Sequence, residues 1–463
     1  MIKIEAMNSV WCRTNEDGHA ALHKELTYEH FYWIKNGFRP EKVIQLIRMM
    51  EHHDDGYYFL TGLLPRVLGF LEKKNTKYEM DYHLPEVVVS EPKIEGYKFR
   101  HYQERLVNAA LDYGRGQLLS PTATGKSIII LGVVSAFPKE NVLFLVHTKD
   151  LVKQMKADFV KAFPDEKIGE WSAKTKQIER ITVATVQSYH KVCKENSKTF
   201  QVIIIDEAHH VSSTEGMYAQ VLMYSAAHTK IGVTATRAAN EKGKWSAEAL
   251  LGPVLAEYTM KEASEDEVLA KPTIHIYHNP PIDSWIDLKE YEDKYSQGVI
   301  KNMSRNIKIV DIASEFIKEG KTTLVTVTSV AHGQSLERIF SKFDLDVSFI
   351  YGKSSTEERD EVKAGLKDGS ILCAVASVIF LEGIDIPSLD VVINAGAGAS
   401  PVQTMQRIGR ALRKTETKDT AILVDFMDEF SGTLKRQSQK RIALYEQNDW
   451  PIKHIKQSQY FLD

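Results

Sequence analysis

The 463-residue chain has little cysteine, no strong net charge and no long apolar run. Its three cysteines, Cys12, Cys193 and Cys373, are odd in number and far apart. That excludes a disulfide framework and any paired metal-ligand spacing, and a reducing cytosol is the expected setting. The longest apolar candidate, near Ser127–Phe137, is of helix-core length and too short to span a bilayer, so no membrane association is expected. The opening "MIKIEAMNSVW" lacks a basic stretch followed by an apolar one, so no export signal is expected. The net charge of −3 neither supports nor excludes a nucleic-acid partner, because a positive cleft can sit in a neutral molecule. No repeat of 20–50 residues and no low-complexity segment shows.

What is present is a rhythm. From Gly116 onward, short runs rich in Val, Ile and Leu recur: "GQLLS", "NVLFLVH", "ITVAT", "VIIID" and "IGVTA". They do not alternate, which is the pattern of strands buried on both faces of a parallel sheet. Between them lie amphipathic stretches such as "DLVKQMKADFVKAF", with Leu151, Met155 and Phe159 every four residues. A second set follows: "TTLVTV", "DVSFIYG", "ILCAVAS", "VVINAG" and "AILVDF". Two successive βα arrays predict two α/β domains. Glu262–Pro281, charged and with three prolines, reads as the linker. The first ~95 residues differ, being rich in aromatics and His, and predict a small α+β domain. There "GYYFLTGLLPRVLGFLEKKN" reads as a strand, a Pro-broken turn and a short helix. The expected layout is 1–95, 96–262 and 263–463.

Three motifs carry chemistry. "LLSPTATGKSIII" ends as a phosphate-binding loop does, with Gly125, Lys126 and Ser127 between a strand and an apolar helix. Ser120 stands where the usual first glycine belongs. That position shapes the turn and carries no functional side chain, so a small residue serves if φ stays negative there. Backbone N–H groups and the helix N-terminus would form an anion nest. Lys126 would reach the phosphates and Ser127 would ligate Mg2+. The bland alternative is a chance turn before a buried helix. "IIIDEAHH" places Asp206 at the carboxyl end of a buried strand, where ligands sit in open α/β sheets. Asp206 suits Mg2+ and Glu207 suits a general base; the bland alternative is a pair of carboxylates at a helix N-terminus. In "QRIGRALR", Arg407, Arg410 and Arg413 recur at i, i+3 and i+6. They would serve as γ-phosphate fingers or, blandly, as a solvated basic face.

With these stand "FRHYQ" (99–103), "HTKDLVKQ" (147–154), "TVQS" (185–188), "TAT" (234–236), "LVTVTSVAHG" (324–333) and "ASVIFLEGIDIP" (376–387), all in order. From Phe99 to Arg413 the chain resembles superfamily 2 helicases and translocases of the DExH type. Within them, "VIKNMSRN" (299–306) and "QRIGRALR" are similar to the UvsW-type phage recombination helicases and the XPB-like branch. Members often lack the first loop glycine.

The resemblance implies two tandem RecA-like parallel-sheet domains behind a small N-terminal α+β domain, which would itself be an accessory, DNA-binding element. It implies that Arg100 and Gln103 contact the adenine. Thr122, Thr124, Gly125, Lys126 and Ser127 would hold the triphosphate and Mg2+, and Asp206 and Glu207 would carry metal and base roles. His209, Thr234 and Thr236 would couple the site to nucleic acid. Gly383 and Asp385 would meet the ribose, and Gln406, Arg410 and Arg413 would sense the γ-phosphate. His147, Thr148, Lys149, Gln187, Ser188, Thr328 and Ser377 would touch the nucleic-acid backbone. Contacts of that kind predict sequence-independent binding with a steep salt dependence. For each hydroxyl taken singly, helix capping is the plain alternative.

The expected function is an ATP- and Mg2+-dependent helicase or translocase on single-stranded or branched DNA, with 3′→5′ movement implied. It would act as a monomer in the cytoplasm, the host's if the chain is phage-encoded. Alternatives are a DEAH-type RNA helicase, a duplex translocase without strand separation, and a nucleotide-gated binding module. "EHHDDG" (51–56) reads as a polar loop, and the run Lys435–Arg441 as a solvated helix face.

Overall fold

The computed structural model describes residues 1–36, 39–85, 87–238, 240–279, 288, 290–377, 389–398 and 420–455. The chain forms two compact units. One comprises Met1–Ser120 with Gly125–Tyr258, the other Pro121–Thr124 with Thr259–Asp463.

The N-terminal segment of the first unit is α+β. Strands β1 (Ile2–Ala6), β2 (Trp11–Thr14), β5 (Met50–His53), β6 (Gly56–Leu60) and β7 (Tyr78–Tyr82) make a mixed sheet in the order β5-β6-β2-β1-β7. Ile2, Ile4 and Ala6 alternate inward along β1, the period-2 signature of a half-buried strand. Asn15 caps α1 (Glu16–Leu22) by accepting from Gly18 N. The expected strand–turn–helix is present as β6, a 3-10 turn at Thr61–Leu63 and α2 (Leu64–Lys73). Pro65 sits in the first turn of α2, where its missing N–H costs nothing. "EHHDDG", read from the sequence as a polar loop, instead gives the last three residues of β5 and its turn into β6.

Among the described residues, β3 (Thr27–Asn36) and β4 (Arg39–Arg48) pair only with each other, as a ten-residue antiparallel ribbon.

This segment shares one core with the main sheet of the unit. Leu63, Leu64, Val67 and Leu71 pack in the same buried cluster as Ala247, Leu250 and Leu251 of α8 (Glu241–Leu251). At about 2 kcal/mol for each fully buried leucine, this contact alone outweighs ordinary surface contacts. The approach is close enough that a Cβ at Gly62 would lie 2.3 Å from Glu248 O. Polar ties add to it. The buried Lys230 Nζ donates to Ser9 O, Leu222 O and Ser225 O at 3.1, 2.8 and 3.3 Å. Burial pushes that amine well below its usual pKa. Arg115 Nη2 also donates to Ser9 O, at 2.8 Å.

The main sheet contains β8 (Arg115–Leu119), β9 (Val142–Val146), β10 (Ile168–Trp171), β11 (Lys176–Gln177), β12 (Ile181–Thr185), β13 (Val202–Asp206), β14 (Thr229–Thr234) and β15 (Val254–Glu257). Its order is β11-β10-β12-β9-β13-β14-β8-β15, and every pairing except β10/β11 is parallel. All five strands expected from the sequence are there. Helix α3 (His101–Tyr113) leads into β8, and α4 (Lys126–Ser135), α5 (Lys149–Ala162), α6 (Val186–Tyr189), α7 (Met217–Tyr224) and α8 lie between the strands.

The second unit is built on a parallel sheet of β16 (Lys271–Asn279), β17 (Thr323–Val327), β18 (Ser348–Ile350), β19 (Cys373–Ser377), β20 (Val391–Asn394), β21 (Thr420–Asp428) and β22 (Ile452–Ile455). The order is β18-β19-β17-β20-β21-β16-β22. Two expectations are corrected here. The stretch read as linker contains β16, which pairs over nine residues with β21 and carries buried Ile274 and Ile276. The run Lys435–Arg441 is not wholly solvated. Ser438 and Arg441 are buried, with Arg441 Nε 2.8 Å from Asp425 Oδ2.

"VIKNMSRN" spans the end of a π-turn at Ser296–Ile300 and the start of α11 (Met303–Lys318). Its polar residues form a buried network. Arg305 Nε donates to Asp428 Oδ1 at 2.7 Å, Arg305 Nη1 to Ala395 O at 2.8 Å, and Asn306 Nδ2 to Ile300 O at 2.9 Å.

Candidate active site

The carboxyl ends of five adjacent strands of the first unit carry nearly all its predicted residues. In sheet order, β12 leads into Gln187 and Ser188, and β9 into His147, Thr148 and Lys149. β13 ends in Asp206 and Glu207, β14 in Thr234 and Thr236, and β8 leads to Gly125, Lys126 and Ser127. Parallel strands point one way, so the loops after them share one edge.

At the loop, Ser120 N donates to Thr234 O at 3.0 Å, and the positive φ values fall elsewhere, at Ala123 (70°) and Gly125 (80°). Ser120 therefore needs no glycine-like backbone. Thr124 Oγ1 donates to Pro121 O at 2.8 Å. Gly125 caps α4, its carbonyl accepting from Ile128 N at 2.9 Å. A Cβ at Gly125 would come within 2.7 Å of Gln103 Nε2. The buried Gln103 is itself held, its Oε1 accepting from Tyr97 OH at 2.9 Å and Arg100 N at 3.0 Å. Arg100 and Gln103 thus set the start of α3, and Gln103 walls the loop at Gly125.

Asp206 is half-buried, and its carboxyl is raised to about 6. Desolvation is the main cause and the Glu207 charge adds to it, while Lys126 pulls the other way. Asp206 Oδ1 accepts from Glu207 N at 2.9 Å. Glu207 itself has φ 52°, the left-handed region that non-glycine residues reach only at a cost. Its Oε2 lies 3.3 Å from His209 Nδ1, which is also 3.0 Å from Thr234 Oγ1. Thr234 Oγ1 donates to Thr236 O at 3.0 Å, so it accepts from the imidazole, and the Nδ1 of His209 carries the proton. The expected coupling residues thus form one chain from the carboxylate to the end of β14. Thr236 Oγ1 is buried with no partner among the described residues.

Tyr218 on α7 was not legible beforehand. Its hydroxyl is buried without a partner among the described residues. Burial raises its pKa, and the Asp206 and Glu207 charges raise it further, which marks it as a neighbour of those carboxylates. A lone Tyr in no motif gives no sequence signal.

Of the expected backbone-contact residues, Lys149 and Gln187 are exposed, and Gln187 Nε2 donates to His147 O at 2.8 Å. Thr148 caps α5 by accepting from Leu151 N at 3.3 Å, the plain role for that hydroxyl. In the second unit, Thr328 and Ser377 follow or end the adjacent parallel strands β17 and β19. Tyr295 OH meets Thr328 Oγ1 and donates to Gly396 O at 2.6 Å. Ser377 Oγ is buried with no partner among the described residues. Gly383, Asp385, Gln406, Arg407, Arg410 and Arg413 lie outside the described residues.

The donor set suits a nucleotide with Mg2+. Ser127 and Asp206 offer hard oxygen ligands. The raised Asp206 pKa shows a carboxylate whose charge lacks full compensation from the protein. No group of three or more His, Cys, Asp or Glu that could hold a metal ion occurs among the described residues. One carboxylate plus substrate phosphates is the usual Mg2+ arrangement.

Comparison with known proteins accords with this geometry. Residues 96–238 match the family described as type III restriction enzyme, res subunit, and residues 306–415 match the helicase conserved C-terminal domain. The chain is 26% identical over 386 residues to the DNA 3′-5′ translocase XPB2 of Sulfurisphaera tokodaii, covering 74% of this chain and 84% of that protein. It is 26% identical over 369 residues to the ATP-dependent DNA helicase uvsW of Enterobacteria phage T4, covering 76% and 72%. A fragment of a putative HsdR subunit of a type I restriction enzyme from Vibrio vulnificus shares the fold, with TM-score 0.60 and 18% identity over 92% of this chain and 79% of that one. The two matched families together span more than half of the 463 residues, one in each of the parallel-sheet segments just described, and the chain belongs to the superfamily 2 helicases and translocases.

Proposed function

We propose that the chain is an ATP- and Mg2+-dependent motor on DNA, acting as a monomer on single-stranded, forked or branched substrates in the cytoplasm, of a host if it is phage-encoded. The observation that carries this reading is the single strand-end edge of the first unit, where the phosphate loop, both acidic residues and the His209–Thr234 chain stand side by side. The printed names of the two relatives, a DNA translocase and a DNA helicase, favour DNA over RNA.

In this reading Lys126 and the N–H groups opening α4 hold the triphosphate. Ser127 and Asp206 hold Mg2+, which when bound neutralises charge on the phosphoryl oxygens. Glu207 takes a proton from the attacking water, oriented by its contact with His209. Thr122, Thr124, Gly383 and Asp385 complete the nucleotide contacts, and Gln406, Arg410 and Arg413 sense the γ-phosphate. His147, Thr148, Lys149, Gln187, Ser188, Thr328 and Ser377 meet backbone phosphates, so binding carries no base code.

The test is ATP-dependent branch migration and fork unwinding by the full chain, with matched RNA substrates alongside. The reading expects activity on DNA junctions and little on RNA. Stronger stimulation by RNA would replace it with the RNA-helicase reading. ATP-sensitive junction binding without ATP turnover would leave only a nucleotide-gated binder.

A further inference from the structure

The β3–β4 ribbon stands apart from every other sheet. A two-stranded ribbon without a third strand or a covering helix is marginal in water. This one nevertheless exposes large apolar side chains on both faces. On one face Phe31 and Ile44 are paired opposite each other, both 55% exposed, with Leu46 next along the strand at 61%. The other face exposes Tyr32 and Ile34.

The ribbon is anchored near its base. Tyr28 stacks on Trp245 of α8 at 5.2 Å and 12°. Arg66 lies 4.3 Å over the same indole and donates to both Glu248 oxygens at 2.8 Å. α8 begins just after Thr236, so the ribbon is fixed to the helix that follows the catalytic chain.

Charge says what the exposed face fits. Thr27–Arg48 holds Lys35, Arg39, Lys42 and Arg48 against Glu29 and Glu41, a positive excess in a chain of net charge −3. The ammonium of Lys42 sits 4.4 Å from the centre of the exposed Phe31 ring. Arg48, exposed, shares that face. An exposed ring beside mobile cations is the pairing a nucleotide needs, base on the ring and phosphate on the amine.

We infer that the β3–β4 ribbon is a second DNA-binding element, with Phe31 stacking on an exposed base at a fork or junction and Lys42 and Arg48 on the flanking phosphates. This rests on the DNA-motor reading and adds to it a structure-selective contact outside the strand-end edge.

The test is fluorescence anisotropy of the full chain, without nucleotide, on labelled forked DNA and on a single strand. Phe31→Ala is expected to lower the fork-over-single-strand affinity ratio about tenfold, and Phe31→Trp to preserve it. Lys42→Glu with Arg48→Glu is expected to weaken fork binding and reduce the salt slope by about 2. Equal fork affinity in wild type and Phe31→Ala overturns the ribbon inference while leaving the motor standing. So does a wild-type dimer that Phe31→Ala dissociates without changing fork affinity. A wild type that binds no DNA overturns both.

Discussion

His209 Nδ1 stands 3.0 Å from Thr234 Oγ1, joining the ends of two adjacent strands through side chains alone. The same nitrogen lies 3.3 Å from Glu207, so the proposed base and the end of β14 share one imidazole. His209→Ala is expected to cut DNA-stimulated ATP turnover by about tenfold while changing unstimulated turnover much less, because coupling is lost and the carboxylates remain. A steady-state comparison with and without DNA reads this; equal losses in both would contradict the coupling role.

Glu207→Gln keeps the shape of the side chain but removes its charge and basicity. Nucleotide affinity should stay within a few-fold, with kcat lower by about 10²–10⁴. Filter binding and turnover check the two halves separately, and near-normal kcat would exclude Glu207 as the base.

Gly125→Ala meets two obstacles at once, a φ of 80° and a contact of 2.7 Å with Gln103 Nε2. ATP affinity is expected to fall at least tenfold, since the loop must shift. Isothermal titration tests this. Unchanged affinity would mean the loop is not the phosphate cradle.

The buried His332 is held down to about 3, first by desolvation and then by Arg305, with its Nε2 2.9 Å from Asn306 Oδ1. In the unfolded chain it titrates near 6.5. Between pH 6.5 and about 3 the unfolded state therefore binds the extra proton, and stability falls as pH falls, by up to about 1.4 kcal/mol per pH unit. His332→Gln should flatten part of the acid limb in thermal melts of the full chain. An identical pH profile would show that the ring does not titrate on unfolding.

Arg305 and Asp428 form an ion pair buried on both sides. Removing one partner strands the other charge, so Arg305→Ala should cost about 3–5 kcal/mol, seen as a lower denaturation midpoint. Asp428→Asn in the same chain should recover part of it. A loss below about 1 kcal/mol would contradict the buried pairing.

Much of the fold was legible because strands buried on both faces read as unbroken Val/Ile/Leu runs, and those runs became β8, β9, β12, β13 and β14. β16 was missed because "KPTIHIYHN" alternates and has a proline at its second position, so it resembled linker until pairing with β21 buried its isoleucines. The β3–β4 ribbon did have a signal, the Asn36-Gly37 pair between aromatic and β-branched stretches. Gly125, Lys126, Asp206 and Glu207 stood out in the sequence because each pair belongs to a short motif at the carboxyl end of a run read as a buried strand, and the structure places both motifs at the carboxyl ends of the parallel strands β8 and β13. Tyr218 did not, since only folding brings α7 beside the carboxylates. Arg441 was misread because a charge run says nothing about which member finds a buried aspartate.

The most direct test of the motor is steady-state ATP hydrolysis by the wild type and by Lys126→Ala, each with and without forked DNA. The account predicts wild-type turnover that rises at least about tenfold with the fork, and none above background in Lys126→Ala. Turnover that ignores DNA, or that survives loss of Lys126, would contradict it.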